Sequence, residues 1–415
     1  MDLRDRLRLA LGTDASPAAA AAPPAWGPPR PALERHLPGA WLETALGPAF
    51  VLEERWPLDH AHGRLPLERV REVPGAALAR LAGHASLARL DLARTVFLDV
   101  ETTGLAGGTG TYVFLVGVGH LDGGSFRLRQ YLLADLRHEP AMLDALAGFL
   151  AGFEGVVTYN GRAFDLPLIQ TRLTLNRLPA DLDRLLHLDL LPPARRFYRG
   201  RLPSCRLAEI ERSVLSFFRR DDVPGWLVPS AYFRYLRTGD PSGLRGVVRH
   251  NALDILSLVA LTAHLGGLLD GRTPDGPLDC LAAAAVEERD GYLDRAAALY
   301  RLALEHALPE PERAAVRQRL ARLCRRLGRW EEAAEQWAAL AFRPGNRDLG
   351  PLVELAKVYE HRLRRFDQAA AVVERALALV ERHHALVAPR AAARHRADLE
   401  HRLARLRRRL APTPA

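Results

Sequence analysis

Hydrophobic and polar positions follow a strand period in the middle of the chain and a helix period around and after it. From Thr95, short β-branched and apolar runs predict strands: TVFLDV, YVFLVGVGHL, FRLRQYLL and, later, GVVTY. Asp122-Gly123-Gly124 is a hairpin turn signal between the second and third runs. Helical stretches occupy about 140–153, 163–177 and further segments to about 269. Three meandering strands, then a helix, a strand and more helices predict an α/β fold with a mixed sheet and flanking helices.

The pattern after about residue 278 is all helical and repeats itself. The motifs LDRAA, WEEAA and FDQAA begin at Leu293, Trp330 and Phe366, which are 37 (330 − 293) and 36 (366 − 330) residues apart. This resembles tetratricopeptide repeats, which are paired helices with a period of about 34 residues. An Ala-rich helical bundle remains open as the alternative. A bulky and a small or apolar residue follow each motif at matching positions: Tyr300 and Ala303, Trp337 and Leu340, Val373 and Ala376.

Two linker-like segments divide the chain. Residues 15–31 form an Ala/Pro tract that cannot hold a regular core, and residues 270–277 are rich in turn formers. We therefore expect five parts: a low-order Ala/Pro-rich segment (1–31), an N-terminal extension of unclear fold (32–90), the α/β domain (91–270), the helical repeats (278–385) and a basic helical tail (386–415).

Composition and charge favour an anionic partner only weakly. The net charge is +9 and the isoelectric point is about 10.0, as expected for a protein that binds nucleic acid. However, Lys357 is the only lysine, so arginine supplies nearly all of the positive charge, and an Ala/Leu/Arg bias runs through the whole chain. Genome composition explains this bias as well as phosphate binding does.

Cysteine content and hydropathy predict a cytoplasmic protein. The three cysteines lie far apart, are odd in number and include no pair with metal-ligand spacing. The charged N-terminus does not resemble a secretory signal, and we expect no membrane-spanning segment.

Two carboxylates share one face of the first predicted strand. Asp99 and Glu101 lie two residues apart in FLDVETTG, so their side chains point the same way. Placing two acids on one face of an apolar strand is costly unless a cation neutralises them. A solvated strand end is the alternative for any isolated Asp-x-Glu pair, and the apolar strand around this pair disfavours it.

Two further clusters carry less information when each is considered alone. Asp165 follows the predicted strand GVVTY and would open the next helix, where an acid is an ordinary preference. His250 and Asp254 are four residues apart, which places them on one face of a helix. Such a pair is more often a surface hydrogen bond than a catalytic dyad.

The order of the three clusters resembles the DEDD exonuclease superfamily. The resemblance implies a ribonuclease H-like fold over 91–270, with two magnesium or manganese ions (Mg²⁺ or Mn²⁺) held by Asp99, Glu101, Asp165 and Asp254. It also implies that His250 is the general base. Longer stretches also resemble one branch, the YprB-type bacterial ribonuclease H-like proteins that carry tetratricopeptide repeats. The stretches behind this similarity are LDVETTGLAGGTGTYVFLVGVG, HLDLLPPARRFYRGRLPSCRLAEIE, DDVPGWLVPSAYFRYL and HNALDILSL.

One feature departs from the superfamily pattern. Where this superfamily uses histidine in its last motif, four residues usually separate it from the aspartate, whereas three separate His250 from Asp254. Three is the spacing of the branch that has tyrosine at this position. The assignment of His250 as the base therefore depends on the helical face that it shares with Asp254.

The basic and aromatic run from Arg195 to Arg199 is the predicted contact for nucleic acid, with a solvated charged loop as the alternative. Such a run suits phosphate contact and base stacking. Trp226 and Tyr232 are either core or stacking residues, and Asp189 is either near the site or structural. The glycine-rich segment 107–110 is expected to turn the chain close to the metals. The residues of the run are Arg195, Arg196, Phe197, Tyr198 and Arg199.

The resemblance implies a metal-dependent 3′→5′ exonuclease acting on single-stranded DNA or RNA, and we expect the helical repeats to recruit a protein partner. Two rivals remain: a catalytically silent nucleic-acid-binding scaffold, and a structure-specific endonuclease on the same fold. Retention of all four acids argues against the silent scaffold.

Overall fold

A computed structural model describes residues 30–104, 110–179, 181–384 and 389–411. Contacts between residues divide the chain into two compact units, Met1–Thr273 and Pro274–Ala415. The segment 1–29, much of the glycine-rich segment 107–110 and the last four residues lie outside the described residues.

The first unit is built on a seven-stranded mixed sheet, which confirms the predicted fold class. Its spatial order is β1-β2-β7-β6-β5-β8-β9. The pairs from β1 to β5 are antiparallel, whereas β8 runs parallel to both β5 and β9. The strands are β1 (Gly39–Thr44), β2 (Gly47–Pro57), β5 (Thr95–Thr102), β6 (Val113–Asp122), β7 (Ser125–Leu132), β8 (Gly155–Thr158) and β9 (Leu186–Asp189).

Strands β1 and β2 belong to the segment whose fold the sequence left open. They form a hairpin, and β2 pairs with β7 over eight residues, from Phe50↔Leu132 to Pro57↔Ser125. A separate small hairpin follows, formed by β3 (Ala61–His62) and β4 (Leu65–Pro66). The segment 32–90 is therefore part of the first unit and extends its sheet.

Helices cover the sheet and are held to it by apolar residues. The long helix α8 packs on β6 at glycines: a Cβ at Gly119 would lie 2.6 Å from Ile255, and one at Gly117 would lie 2.1 Å from Asn251 Oδ1. Gly117 and Gly119 lie two apart on one face of β6, so their missing side chains let α8 come close. The helices of this unit are α1 (Arg30–His36), α2 (Gly75–Ala82), α3 (Glu139–Leu150), α4 (Asp165–Leu175), α5 (Leu191–Tyr198), α6 (Leu207–Ile210), α7 (Val228–Thr238) and α8 (Leu244–Asp270).

Helix α8 is the one described helix that is long and apolar enough to cross a membrane by length and composition. In its most apolar window, 89% of the residues are buried inside the protein. Burial of this kind is typical of a core helix, and α8 forms much of the core of the first unit.

All regular secondary structure among the described residues of the second unit is helical. Helices pack in consecutive pairs, and the repeated motifs at Leu293, Trp330 and Phe366 each begin the second helix of a pair. The bulky and small residues that follow each motif are buried. The helices are α9 (Pro277–Asp290), α10 (Leu293–Glu305), α11 (Glu310–Arg326), α12 (Trp330–Ala341), α13 (Gly350–Val358), α14 (Phe366–Leu379) and α15 (Pro389–Leu410).

Candidate active site

Strand β5 supplies the first two acids. It lies in the interior of the sheet, and its apolar residues Val96, Phe97 and Leu98 are fully buried. Asp99 and Glu101 lie on the same face of β5 as Phe97, and both side chains are partly buried. The pairing of β5 with β6 shifts register between Glu101 and Thr102, so the strand becomes irregular just after the second acid.

Asp165 reaches the same strand from the start of α4. Its Oδ1 accepts a hydrogen bond from the backbone N–H of Val100 at 3.2 Å, so the first residue of α4 is tied between the two acids of β5. The turn before α4 is tight: Asn160 has a φ of 69°, and a Cβ at Gly161 would lie 2.4 Å from the hydroxyl of Thr158. The Asn-Gly pair therefore lets the chain reverse after β8 and deliver Asp165 to the site.

Helix α8 delivers the remaining predicted residues from the other side. His250 and Asp254 share a face, with Nε2 of the histidine 3.6 Å from Oδ2 of the aspartate. Asn251 donates to Asp99 Oδ2 at 2.9 Å, and its own Oδ1 accepts from Gln130 at 2.9 Å. One ligand atom each from Glu101, His250 and Asp254 lie within 4.8 Å of one another, close enough to hold one ion.

The acids repel one another, and the protein compensates only in part. Burial raises the pKa values of Asp99 and Glu101 well above their usual range, and the charges of Asp254 and Asp165 raise them further. Burial also raises the pKa of Asp165 to about 7, against two backbone hydrogen bonds that lower it. A divalent cation would relieve this repulsion, and carboxylate oxygens are the ligands that Mg²⁺ and Mn²⁺ prefer. The residues present therefore fit a metal site.

Three charged residues that sequence reasoning missed surround the acids. Arg219 donates to Asp254, to Glu211 at 2.7 and 2.5 Å and to Asp222 at 3.1 Å. Asp222 lies 2.8 Å from Nδ1 of His250. Nη1 of Arg219 also lies 3.2 Å from this Nδ1, so the nitrogen faces both a carboxylate acceptor and a guanidinium donor, while Nε2 faces Asp254. Two of the stretches quoted above were available signals: HLDLLPPARRFYRGRLPSCRLAEIE ends at Glu211, and DDVPGWLVPSAYFRYL contains Asp222.

The predicted nucleic-acid run divides into buried and accessible residues. Phe197 and Tyr198 are fully buried, so the expectation that they stack on bases is wrong: α5 turns both rings into the core. Arg196 donates to the carbonyl of Arg80 at 2.7 Å and so has a structural contact. Arg195 and Arg199 line a cavity of about 420 Å³, where phosphate contact remains a prediction.

The residues whose roles the sequence left undecided are now placed. Tyr232 is buried and donates to the carbonyl of Leu133 at 2.9 Å, so it is a core residue. Trp226 is 77% exposed, and Phe218, beside Arg219, is 65% exposed. Asp189 accepts from the backbone N–H groups of residues 160, 162 and 191, which makes it a structural acceptor next to the site.

Comparison with known proteins gives two findings. A family model described as the RNase_H superfamily matches residues 96–266, the part of the chain that contains all four acids and His250. The chain is also similar to a protein of Bacillus subtilis (strain 168), YprB. The two are 31% identical over 336 residues, which is 79% of this chain and 80% of YprB.

Proposed function

The chain belongs to the ribonuclease H superfamily and to the family of YprB, as its motifs predicted, and on this premise we propose that it is a metal-dependent 3′→5′ exonuclease. Proteins of this superfamily are generally nucleases that use divalent metals. The observation that carries the proposal is the convergence of Asp99, Glu101, Asp165 and Asp254 from three separate segments onto one site. Burial of acids whose pKa values are raised in this way is costly, and a bound cation would offset that cost.

The four acids would hold two Mg²⁺ or Mn²⁺ ions. Bound there, the ions supply Lewis-acid stabilisation of the phosphodiester in the transition state and help to activate the attacking water. His250 is then the general base, because its Nε2 faces Asp254 and an imidazole nitrogen can accept a proton from the attacking water. Asp222 positions the ring through its contact with Nδ1.

Exposed aromatic side chains support single-stranded nucleic acid as the substrate. Trp226 and Phe218 lie on the segment that carries Arg219, and both expose most of their surface. Unpaired bases stack on such rings without regard to sequence, and each stacked base contributes about 1–3 kcal/mol. Residues 278–385 offer no comparable set of acids in their motifs, so we assign them to recruitment of a protein partner or of longer nucleic acid.

A panel of short single-stranded DNA and RNA oligonucleotides labelled at the 5′ end tests the proposal. With Mg²⁺ or Mn²⁺, and not with a chelator, we expect a ladder of products that shorten one nucleotide at a time. A circular single strand should resist cleavage. Cleavage of the circle would identify an endonuclease, and binding of oligonucleotides without any cleavage would identify a silent scaffold.

A further inference from the structure

We propose that Arg219 is the internal counter-ion of the metal site: it holds Asp254 when no metal is bound, and metal binding takes Asp254 from it. The inference rests on the proposed function, because it requires that the acids bind a divalent cation. In this proposal the acids are the ligands of the metal, and Arg219 controls how tightly the metal binds.

The guanidinium of Arg219 lies inside the cluster of acids. Its side chain is 11% exposed, and Nη2 donates both to Glu211 Oε1 and to Asp254 Oδ1. Nη1 donates to Asp222 Oδ2 at 3.1 Å. Of these three carboxylates, Asp254 alone is also in the group that can hold an ion with Glu101 and His250. The guanidinium and a metal ion therefore need the same carboxylate.

Glu211 prevents Arg219 from moving far when it loses Asp254. The two side chains form a two-point pair, and the Glu211 side chain is 1% exposed. Ser257 donates to Glu211 at 2.5 Å, and the hydroxyl of Ser257 lies 2.7 Å from Nε2 of the buried His62. Burial lowers the pKa of His62 to about 3, so this ring is neutral and adds no competing charge.

The β3–β4 hairpin fixes the segment that carries Glu211. The N–H of Arg64 donates to the carbonyl of Leu215 at 2.9 Å, and a Cβ at Gly63 would lie 2.0 Å from the same oxygen. Gly63 has a φ of 64°, so the contact depends on glycine in both space and backbone conformation. The Arg219 charge is thus anchored beside the metal ligands whether or not it contacts Asp254.

Two consequences follow for a metal ion bound at Asp254. The ion must replace the hydrogen bond from Arg219, and it must then remain close to a fixed positive charge in a partly buried environment, where such repulsion is strong. Both effects weaken metal binding. Replacing Arg219 by a neutral side chain of similar shape should therefore strengthen it.

Titration of the full-length protein with Mn²⁺, followed by calorimetry or by the electron paramagnetic resonance of free Mn²⁺, tests this competition. We expect Arg219→Gln to bind Mn²⁺ about tenfold more tightly or better, a modest effect for removing a unit charge beside a divalent ion. Arg220→Gln is the matched control, because it removes the same charge from the next, exposed position. Its affinity for Mn²⁺ should stay at the wild-type value.

A second variant tests the same idea with the opposite sign. Glu211→Gln removes the anchoring charge and leaves the guanidinium to Asp254, so Mn²⁺ binding should weaken. This variant decides the matter if Arg219→Gln does not fold, as judged by circular dichroism. If the wild type binds Mn²⁺ and the folded variant binds it with the same affinity, the counter-ion role of Arg219 is overturned. If neither the wild type nor Arg219→Gln binds Mn²⁺ and the wild type cleaves no oligonucleotide, the proposed function itself fails.

Discussion

Replacing Asp165 by asparagine should stabilise the metal-free protein, and increasingly so at higher pH. The pKa of this carboxyl rises from 3.8 to about 7 on folding, mainly because it is buried. A raised pKa means that the folded state holds the proton more tightly than the unfolded chain does. The cost of ionising Asp165 therefore appears once the pH passes about 4 and is complete above about pH 7. It is small near pH 4 and amounts to about 4 kcal/mol near pH 8.

Asparagine removes this cost and keeps the local contact, because its Oδ1 can still accept from the backbone N–H of Val100. Urea denaturation without metal, at about pH 4 and about pH 8, should show the variant gaining stability over the wild type as the pH rises. Asp183→Asn, an exposed acid of the same unit, should show no such trend. Mn²⁺ should stabilise the wild type much more than Asp165→Asn. A variant that is less stable than the wild type near pH 8, or a difference that does not change with pH, refutes the reasoning.

Four further predictions address the other parts of the account. His250→Ala should lower the cleavage rate by about 10²–10⁴-fold while Mn²⁺ binding is retained, and His250→Tyr should keep part of the activity; full activity of His250→Ala would show that the residue merely packs on α8. Asp222→Asn should lower the rate and shift its pH profile, and an unchanged profile would exclude the positioning role. Trp226→Ala should weaken binding of single-stranded oligonucleotides but not of abasic ones, as measured by fluorescence anisotropy. A chain ending near Gly271 should fold and still cleave short oligonucleotides; a folded but inactive product would show that the repeats shape the site.

The parts of the fold that follow local rules could be predicted from the sequence. The strands from β5 to β8 are apolar and bounded by turn signals, and α8 has helical periodicity, so these elements and the shared face of His250 and Asp254 were readable. Strands β1 and β2 could not be predicted, because the first half of β2 is largely buried whereas its second half carries the charged residues Glu53 to Arg55.

The contacts around the acids could not be predicted, because they depend on tertiary packing. Arg219 lies in FFRRDD, a pattern typical of a solvated loop, and its partner Asp254 is 35 residues away. The prediction that Phe197 stacks on bases failed because the residue stands among arginines in the sequence. The helical period of α5 instead places its ring with Ala194 in the core. The polar neighbours of Phe197 in the sequence indicated an exposed side chain, whereas its position on the helix buries it.

The most direct test of the central claim compares the wild type with Asp99→Ala in one cleavage assay. Both proteins, purified in parallel and shown to be folded, are incubated with a single-stranded oligonucleotide and Mn²⁺. We predict that the wild type shortens the oligonucleotide and that Asp99→Ala, which lacks one of the four acids, does not. Equal degradation by the two proteins would contradict the account, because the activity would then not depend on the carboxylate site.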